Sequence, residues 1–385
     1  MGIKNLSKFL NTNASNSVKN VPIKQFNCQK IGIDIATFLY ALLVSVRLNE
    51  TNANLTDNEG NVTSHISGIL SKTVKLYELG LKPIYVFDGT PPELKNDELK
   101  NRSELKNKAH IELQQAIADE DKQKIEKFVK RTVQVQKSHI EDIKTLLNLM
   151  GVPYIQAKTE AEAECANLCK KKKVDVVFSE DSDTLCYSVP KLVRSINFSI
   201  PNPIGVEYRI DKILDELDLT MKQFIEFCML CGCDYIANPP NVGPATAYKL
   251  ILIHGSIEQI AKEKPELHLD LDLYAKIYKQ FTDPEVYSEE ELFNMNFKDE
   301  VLNEDGLIDY LVNKKSFSEQ RVKSLIDRFK NAKKNSTQVR LDFFFKPIAE
   351  NVSKPTSSTN KKSAQLNDKS AAVVKNVKKK TIKKK

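Results

Sequence analysis

Three short apolar runs predict β-strands. They cover residues 31–34, 84–88 and 174–178, and each is rich in β-branched or aromatic side chains. A long helical pattern of hydrophobic positions lies beside each run along the chain. Strands that alternate with helices are typical of a parallel sheet covered by helices. The pattern therefore predicts an α/β fold with a central, mainly parallel sheet flanked by helices.

Residues 93–137 show a charged helical pattern with few large apolar positions. Such a pattern fits a solvated helical hairpin, because it has no apolar stripe to bury. It fits equally well a mobile basic arch that lies over a binding site. The sequence alone favours neither structure.

Further helices are predicted on both sides of a clear chain break. One covers residues 145–150 and ends at Gly151, and an amphipathic pair covers 211–233. Two consecutive prolines within 238–241 interrupt the chain, and Pro244 then opens the next helix at its first turn. A polar helical pattern continues from there to about residue 334.

The charge of the chain is unevenly distributed. The 385 residues carry a net charge of +7, yet residues 351–385 contain eleven Lys against one Asp, so the first 350 residues are mildly acidic. No run of about 18 apolar residues exists, and the charged N-terminus lacks the apolar stretch of a signal peptide. A membrane span and secretion are therefore not expected.

Seven cysteines, an odd number, indicate free thiols in a reducing compartment. Cys228 and Cys231 form a CxxC pattern, with Cys233 just beyond. A structural zinc site needs a second pair of ligands at similar spacing, and the five histidines provide none. Buried thiols in a helix are the expected state of these residues.

Acidic side chains follow all three predicted strands. Asp34 and Asp88 end the first two runs, and Asp181 with Asp183 follows the third. Because ligands gather at the carboxyl ends of parallel strands, we expect these carboxylates to share one edge of the sheet. Clustered like charges repel unless a cation lies between them. Oxygen ligands without nearby His or Cys indicate Mg²⁺ or Mn²⁺.

The segment that begins at Thr159 adds three more acids at every second position. Thr159 and Glu162 match a capping box, and acids favour the first turn of a helix, so the segment has a structural interpretation. In a regular helix Glu160 and Glu162 point about 200° apart, although they converge if Glu160 lies on an irregular first turn. Glu164, one turn from Glu160, is the competing candidate for a site residue.

Seven motifs stand out between residue 1 and about residue 346: MGI, GIDIATFLY, VFDGTPPELK, TEAEAEC, SEDSDTL, CGCDYI and VGPATAYKL. In their order and spacing the chain resembles the flap endonuclease family of XPG-type, structure-specific 5′ nucleases. The resemblance implies a PIN-like nuclease fold with a helical arch and a helix-two-turn-helix DNA-binding extension. It further implies cleavage of 5′ flaps of branched DNA, with 5′-3′ exonuclease activity, in replication and base excision repair.

The resemblance also assigns the acids. It implies that the paired family glutamates are Glu160 and Glu162, leaves Glu164 unassigned, and adds Asp234. Two divalent ions about 4 Å apart lower the pKa of a bound water and stabilise the leaving oxygen of a phosphodiester. One ion is expected among Asp34, Asp88, Glu160 and Glu162, and the other among Asp181, Asp183 and Asp234.

Several further residues match family positions that contact DNA. Lys95 and Arg102 are seven residues apart and share one helix face; taken alone they are a solvated pair, and the resemblance implies a catalytic gateway. Tyr40 taken alone is a core residue, and the resemblance implies that a terminal base stacks on it. Arg47 and Lys72 match family positions that hold the DNA backbone, and phosphate contacts of this kind position DNA without specifying its sequence. Gly232 matches a position where the protein backbone closely approaches DNA. The implied DNA-binding residues are Tyr40, Arg47, Lys72, Glu160, Gly232 and Asp234.

The helix-two-turn-helix, which usually binds a potassium ion, departs from the family pattern here. Asn241 replaces the usual first Gly, and Ala245 and Thr246 stand where basic residues are common. Thr90 likewise replaces a frequent Lys. We therefore expect the duplex to be bound more weakly or through other residues, while the catalytic acids are unaffected.

The end of the chain contains a peptide motif. Residues 338–345 fit the pattern Q-x-x-L-x-x-F-F, and similar segments bind the replicative sliding clamp, proliferating cell nuclear antigen. The terminal lysine runs indicate either a nuclear localisation signal, with the protein in nucleoplasm and nucleolus, or nonspecific attraction to DNA. The sequence does not decide whether a mitochondrial pool also exists. The expected clamp-binding residues are Gln338, Leu341, Phe344 and Phe345.

Three other functions share some of these features. A relative acting in excision repair or on recombination junctions would have a longer spacer between the first two motif blocks. A catalytically silent scaffold bound to the clamp would not need seven acids. A ribonuclease of related fold would need neither the turn segment nor the tail.

The expected layout is a monomer that binds a trimeric clamp. Its regions are an N-terminal nuclease region (1–107), a helical arch segment (108–124), an internal nuclease region with the helix-two-turn-helix (125–256), a C-terminal helical part (257–335), a clamp-binding peptide (336–346) and a disordered basic tail (347–385).

Overall fold

The three apolar runs form neighbouring strands of one mixed sheet. A computed structural model describes residues 2–47, 57 and 62–336, and of residues 44–47, 126, 130, 335 and 336 it describes the backbone alone. The sheet formed by these residues has seven strands in the order β1-β7-β6-β5-β2-β3-β4. In chain order they are β1 (Val18–Pro22), β2 (Lys30–Asp34), β3 (Lys82–Phe87), β4 (Tyr154–Gln156), β5 (Val176–Phe178), β6 (Lys191–Arg194) and β7 (Ile204–Arg209).

The sheet is mainly parallel, as predicted. Strand β2 pairs in parallel with both β3 and β5, and β4 and β6 continue the parallel arrangement outward. The antiparallel pairs are β1 with β7 and β6 with β7, so β7 is the strand of the described sheet that runs opposite to the others. Because β2, β3 and β5 point the same way, the acids that follow them lie at one edge of the sheet.

Helices cover both faces of the sheet. Successive side chains of β3 point to opposite faces, so that Ile84 and Val86 join one core while Tyr85 and Phe87 join the other. In chain order the α-helices of the described residues are α1 (Leu6–Asn13), α2 (Ile35–Arg47), α3 (Ser64–Glu78), α4 (Asn96–Ala118), α5 (Lys122–Arg131), α6 (Lys137–Met150), α7 (Ala161–Lys170), α8 (Ile210–Leu217), α9 (Met221–Cys231), α10 (Pro244–His254), α11 (Ile257–Glu263), α12 (Leu271–Thr282), α13 (Glu289–Asn294), α14 (Glu304–Ile308) and α15 (Glu319–Ser336).

The two cores are built from different helices. Residues of α1, α7, α8, α9 and α12 pack on one face, and residues of α2, α3, α6 and α15 pack on the other. The apolar side chains of the sheet are therefore used on both faces. Functional side chains are left to the strand ends and to the segments that follow them.

The predicted helical pair at 211–233 is confirmed as α8 and α9, and the helix at 145–150 is longer than predicted. It begins at Lys137, where Gln136 and His139 cap the first turn reciprocally, and ends before Gly151, which has a φ of 64°. The third strand is shorter than predicted: it begins at Val176, and the Asp175 carboxylate before it accepts a hydrogen bond from the Lys30 backbone.

The charged region at 93–137 contains a short 3-10 turn (Glu93–Lys95) followed by two helices, α4 and α5, and we call these three segments together the arch. Within α4 only Ala109 and Ala116 are buried, and they form a small core with Phe128 of α5. The arch is therefore a largely exposed helical pair with little apolar packing of its own. The described residues form one compact unit by their contacts, and the finer regional boundaries stay a prediction.

Among the described residues, no helix combines the length and apolar character that crossing a membrane requires.

Candidate metal centre

Seven carboxylates, which we call the acid cluster, gather at the carboxyl edge of the sheet, and all of them except Asp183 line one cavity. Each comes from the end of a strand or helix. Most are almost inaccessible to solvent; Asp34, for example, is only 2% exposed. The acid cluster comprises Asp34 at the end of β2, Asp88 after β3, Glu160 and Glu162 at the start of α7, Asp181 and Asp183 after β5, and Asp234 after α9.

The predicted capping box at the start of α7 is wrong. The Thr159 hydroxyl donates to the backbone oxygen of Glu285, 3.1 Å away, and does not cap the helix. Asp88 accepts the hydrogen bond of the Ala161 amide at 3.0 Å instead. A carboxylate from a neighbouring strand thus performs the capping that the local pattern assigned to Thr159.

Glu160 is the N-cap of α7, with extended backbone angles (φ −94°, ψ 137°). Because it lies outside the regular helix, its carboxylate converges with that of Glu162. The Lys95 ammonium lies 2.5 Å from Glu160 Oε1 and 4.0 Å from Glu162 Oε1. The first turn of α7 is therefore irregular, which is the condition under which Glu160 and Glu162 converge.

Glu164 faces the opposite way. It is fully buried and accepts hydrogen bonds from the Asn167 side chain at 2.8 Å and from the Tyr287 backbone at 3.0 Å. These contacts tie α7 to the C-terminal helices. Glu164 is a structural residue and does not line the cavity.

Burial gives the acid cluster unusual protonation properties. It raises the pKa of Asp34 to about 7, with a contribution from Asp88, although the Ser179 hydroxyl and the Ala36 amide donate to this carboxylate and oppose the shift. Burial and the neighbouring acids also raise the pKa values of Glu162 and Asp183 well above their usual range. Without added positive charge, it is energetically unfavourable for all of these carboxylates to be ionised at once.

Two basic residues of the arch supply part of that charge. Besides the two glutamates, the Lys95 ammonium lies 3.2 Å from Asp234. The Arg102 guanidinium donates to Asp234 at 2.7 Å and to Glu98 at 2.8 Å. Burial alone would lower the pKa of Lys95, and the surrounding carboxylates raise it above its usual value. Lys95 and Arg102 thus face the same acid, as their spacing predicts.

The donor chemistry fits a hard divalent cation. Asp183 Oδ1 is buried and has no hydrogen-bond partner among the described residues, so one oxygen of the cluster is available as a ligand. As the side chains stand, no three acidic, His or Cys residues of the described chain are placed to share one metal ion. The Lys95 ammonium lies within 4.0 Å of three of the carboxylates, those of Glu160, Glu162 and Asp234.

The cavity above the acid cluster has a volume of about 930 Å³. The arch forms its opposite side through the apolar side chains of Leu99 and Leu105 and the basic side chains of Lys106 and Arg131. A cavity with acids on one side and apolar and basic side chains on the other suits a flexible polyanion that carries apolar bases.

Tyr40 lines this cavity and is 40% exposed, so its assignment to the core is wrong. Lys72 lies on the ring of Phe38, 4.3 Å from its centroid, and burial lowers the pKa of Lys72 to about 8. The Arg47 side chain lies outside the described residues. A contact of Tyr40, Arg47 or Lys72 with DNA stays a prediction.

Gly232 has a φ of 91°, and a Cβ there would lie 2.9 Å from the Asn238 backbone nitrogen. The close approach that the structure shows is therefore within the chain, and an approach to DNA stays a prediction. Asn241, which replaces the family's Gly, has a φ of 61°. Asparagine tolerates this left-handed conformation better than most residues, so the turn is kept. Ala245 and Thr246 are exposed on α10.

Several residues around the acid cluster were not found by sequence reasoning. Ser179 donates to Asp34, and Tyr187 and Tyr235 donate to Glu160. Gly2 packs so closely on Asp181 and Asp183 that a larger residue would collide with their carboxylates. Tyr235 follows Asp234 directly, and this adjacency was the one available signal for it.

The cysteines are free, and Cys228 and Cys231 are buried, as expected. The four residues expected to bind the sliding clamp, Gln338, Leu341, Phe344 and Phe345, lie outside the described residues.

Known protein families and relatives match this chain in sequence. Residues 1–109 match the XPG N-terminal domain and residues 151–234 match the XPG I-region. The chain is 43% identical to flap endonuclease 1 of Glycine max over 354 residues, which cover 91% of this chain and 92% of that protein.

Solved structures agree in fold. The flap endonuclease-1 of Methanococcus jannaschii has a TM-score of 0.64 and 29% identity, and the match covers 83% of this chain and 96% of that one. The catalytic core of Rad2 in complex with DNA substrate has a TM-score of 0.63 and 22% identity, covering 85% of this chain and all of that one.

Proposed function

The chain belongs to the flap endonuclease family of structure-specific nucleases, and on this premise we propose that it cleaves 5′ flaps of branched DNA at the acid cluster. The observation that carries the proposal is the clustering of seven carboxylates from separate strands and helices, six of which line one cavity beneath a basic arch. Phosphodiester hydrolysis, with secondary 5′-3′ exonuclease activity, is the reaction that this arrangement supports.

The family is metal-dependent, and the proposed ions are two Mg²⁺, with Mn²⁺ as a substitute. Asp34, Asp88, Glu160 and Glu162 would hold one, and Asp181, Asp183 and Asp234 the other. Bound there, the ions supply an activated water and positive charge at the leaving oxygen. The carboxylates would hold the ions, and five of the seven acids are buried.

The arch residues act on the phosphate itself. Lys95 and Arg102 lie against Asp234 at the cavity, so a scissile phosphate that enters there meets both cations. Positive charge at this point stabilises the transition state more than the ground state, because negative charge develops on the transferring group. DNA that binds therefore competes with the acid cluster for these two side chains.

A single cleavage assay tests the proposal. Labelled 5′-flap DNA, plain duplex and RNA of the same sequence are incubated with the full chain and Mg²⁺. We expect cutting near the flap junction, slower removal of 5′ nucleotides from duplex, and little action on RNA. Equal cutting of all three substrates, or cutting that persists in excess chelator, would refute the proposed reaction.

We further propose that the chain binds the replicative sliding clamp through Gln338, Leu341, Phe344 and Phe345, as a monomer on a trimeric clamp. This proposal is supported by the sequence motif and by its position directly after the nuclease unit. Replacing Phe344 and Phe345 by Ala removes two aromatic anchors and should weaken clamp binding at least tens-fold, by analogy with aromatic hot spots of about 2–4 kcal/mol. Calorimetry against the clamp measures this, and flap cleavage without the clamp should be unchanged.

The place of action is proposed from the same features. Lysine runs at the end of the chain support nuclear import, and clamp binding supports work in Okazaki fragment maturation and base excision repair. A potassium ion at the helix-two-turn-helix is proposed by family resemblance. Imaging of the tagged chain with and without residues 347–385 tests localisation, since loss of nuclear signal is expected only for the truncated chain.

A further inference from the structure

The two oxygens of Glu160 have different partners. Oε1 faces the cavity, where it contacts Lys95. Oε2 points into the protein and accepts hydrogen bonds from two tyrosine hydroxyls, Tyr187 at 2.9 Å and Tyr235 at a shorter distance. The two hydroxyls also lie 2.9 Å from each other. One edge of this carboxylate is therefore occupied inside the protein and the other is presented to the cavity.

Packing holds both tyrosines in place. Tyr187 is 1% exposed and Tyr235 9% exposed. The ring of Phe281, on α12, packs edge-on against both, with centroid distances of 5.2 Å and 5.4 Å. A residue of the C-terminal helices thus supports the hydrogen-bond donors of a carboxylate at the start of α7.

Filling of the core does not account for the hydroxyls. Phenylalanine would pack as well against Phe281, and a buried hydroxyl is costly unless it is hydrogen-bonded. Both hydroxyls are directed at one carboxylate oxygen, and a neutral tyrosine is a donor at physiological pH. Glutamate has three rotatable side-chain bonds, so its carboxylate needs external contacts to keep one orientation.

We propose that Tyr187 and Tyr235 are positioning residues that orient Glu160, holding Oε2 so that Oε1 faces the cavity as a metal ligand. This inference rests on the proposed function, since it assigns the partner of a proposed ligand. Outer contacts of this kind fix the orientation of metal-binding side chains, and their loss typically weakens metal affinity or activity 10- to 100-fold.

The test uses Tyr187→Phe, Tyr235→Phe and the double variant, which keep the rings and remove only the hydroxyls. Tyr85→Phe is the matched control, because the Tyr85 hydroxyl is also buried and pairs with Thr73 at 2.7 Å, away from the acid cluster. Ca²⁺ binding to the full chain without DNA is measured by calorimetry, and thermal unfolding without metal is measured in parallel.

We expect about 10-fold weaker Ca²⁺ binding in each single variant and up to about 100-fold in the double variant. Flap cleavage should fall in step and recover as Mg²⁺ is raised, whereas Tyr85→Phe should lose stability alone. A double variant that folds and binds Ca²⁺ within about twofold of wild type overturns the inference. So does a Tyr85→Phe variant that weakens binding equally, since the effect is then general.

The outcomes separate this inference from the proposed function. A wild-type chain that binds no divalent ion and cuts no flap removes the proposed function, and the inference with it. A wild-type chain that binds Ca²⁺ and cuts flaps, beside variants that do both equally well, removes the positioning role alone.

Discussion

The acid cluster and the arch face the same cavity from opposite sides, yet different contacts hold them. The acids lie at the ends of core strands, and several accept hydrogen bonds from fixed donors such as Ser179 and the Ala161 amide. The arch helix α4 buries only Ala109 and Ala116. Its cations are positioned largely by the acids that they contact. The proposed metal ligands therefore lie on the side that core packing fixes, and the cations proposed to contact the phosphate lie on the side with few packing contacts.

The exposed apolar side chains of α4 sharpen this contrast. Leu105, Ile111 and Ile117 are 65%, 67% and 56% exposed. A helix with so little buried surface gains little stability from packing. Its first turns are held at the cavity by ion pairs of Lys95 and Arg102 with the acid cluster. Such contacts can exchange for contacts with a phosphate without unfolding the core.

The largest effect is expected on the rigid side. Asp181→Ala should lower the cleavage rate at least about a thousandfold, because losing a metal ligand removes several kcal/mol of transition-state stabilisation. Flap binding should stay within a few-fold of wild type, since many phosphate contacts share the binding energy. Single-turnover cleavage and fluorescence anisotropy measure the two quantities. A folded variant that loses binding together with cleavage would contradict this role.

The arch should show a smaller effect on rate. Lys95→Ala and Arg102→Ala should each lower the single-turnover rate on the order of 100-fold, the usual range for one donor that stabilises developing charge. Flap affinity should change less. Lys100→Ala is the matched control, because Lys100 lies on α4 like Arg102 but pairs with Asp97 in solvent. Its single-turnover rate should stay within about twofold of wild type. Rates within twofold of wild type for Lys95→Ala would remove the gateway role.

The acid cluster should also make the metal-free protein sensitive to pH. Burial raises the pKa of Asp34 to about 7 in the folded state, above its ordinary value of 3.8. The folded state therefore binds the proton more tightly, so this stabilisation is present at low pH and is lost as pH rises toward 7.

Between pH 5 and 7 the free energy of unfolding should fall on the order of 2 kcal/mol from this group alone. Denaturant unfolding in chelator, across that range, measures it. Asp34→Asn should give a flatter profile, and added Mg²⁺ should restore stability most at the higher pH. A wild-type profile that rises over this range would show that the sign is wrong.

The smallest effect is expected at Glu164. Glu164→Gln keeps the shape of the side chain and weakens its contacts with Asn167 and Tyr287. Stability should fall by about 1 kcal/mol, and flap cleavage should stay within about twofold. Glu162→Gln, two residues earlier, is the contrast and should lose most activity. If Glu164→Gln were as inactive as Glu162→Gln, Glu164 would have to be assigned to the active site.

Much of this arrangement follows from local sequence. The runs at 31–34 and 84–88 form strands because β-branched and aromatic residues fit a sheet that is buried on both faces. An acid after each strand reaches the same edge because the strands are parallel. Neither step needs knowledge of distant contacts, and the fold class and the shared edge of the strand-end aspartates were predicted from these features. Asp234 and the choice of Glu160 with Glu162 came from the family resemblance.

Other features depend on residues far apart in the chain. Thr159 matches a capping box, yet its hydroxyl is taken by Glu285, and Asp88 caps the helix in its place. Glu160 is oriented by Tyr187 and Tyr235. Periodicity and capping patterns report only neighbours within about one turn. Which oxygen each carboxylate presents to the cavity was therefore decided by tertiary packing, because only packing brings these distant donors to the site.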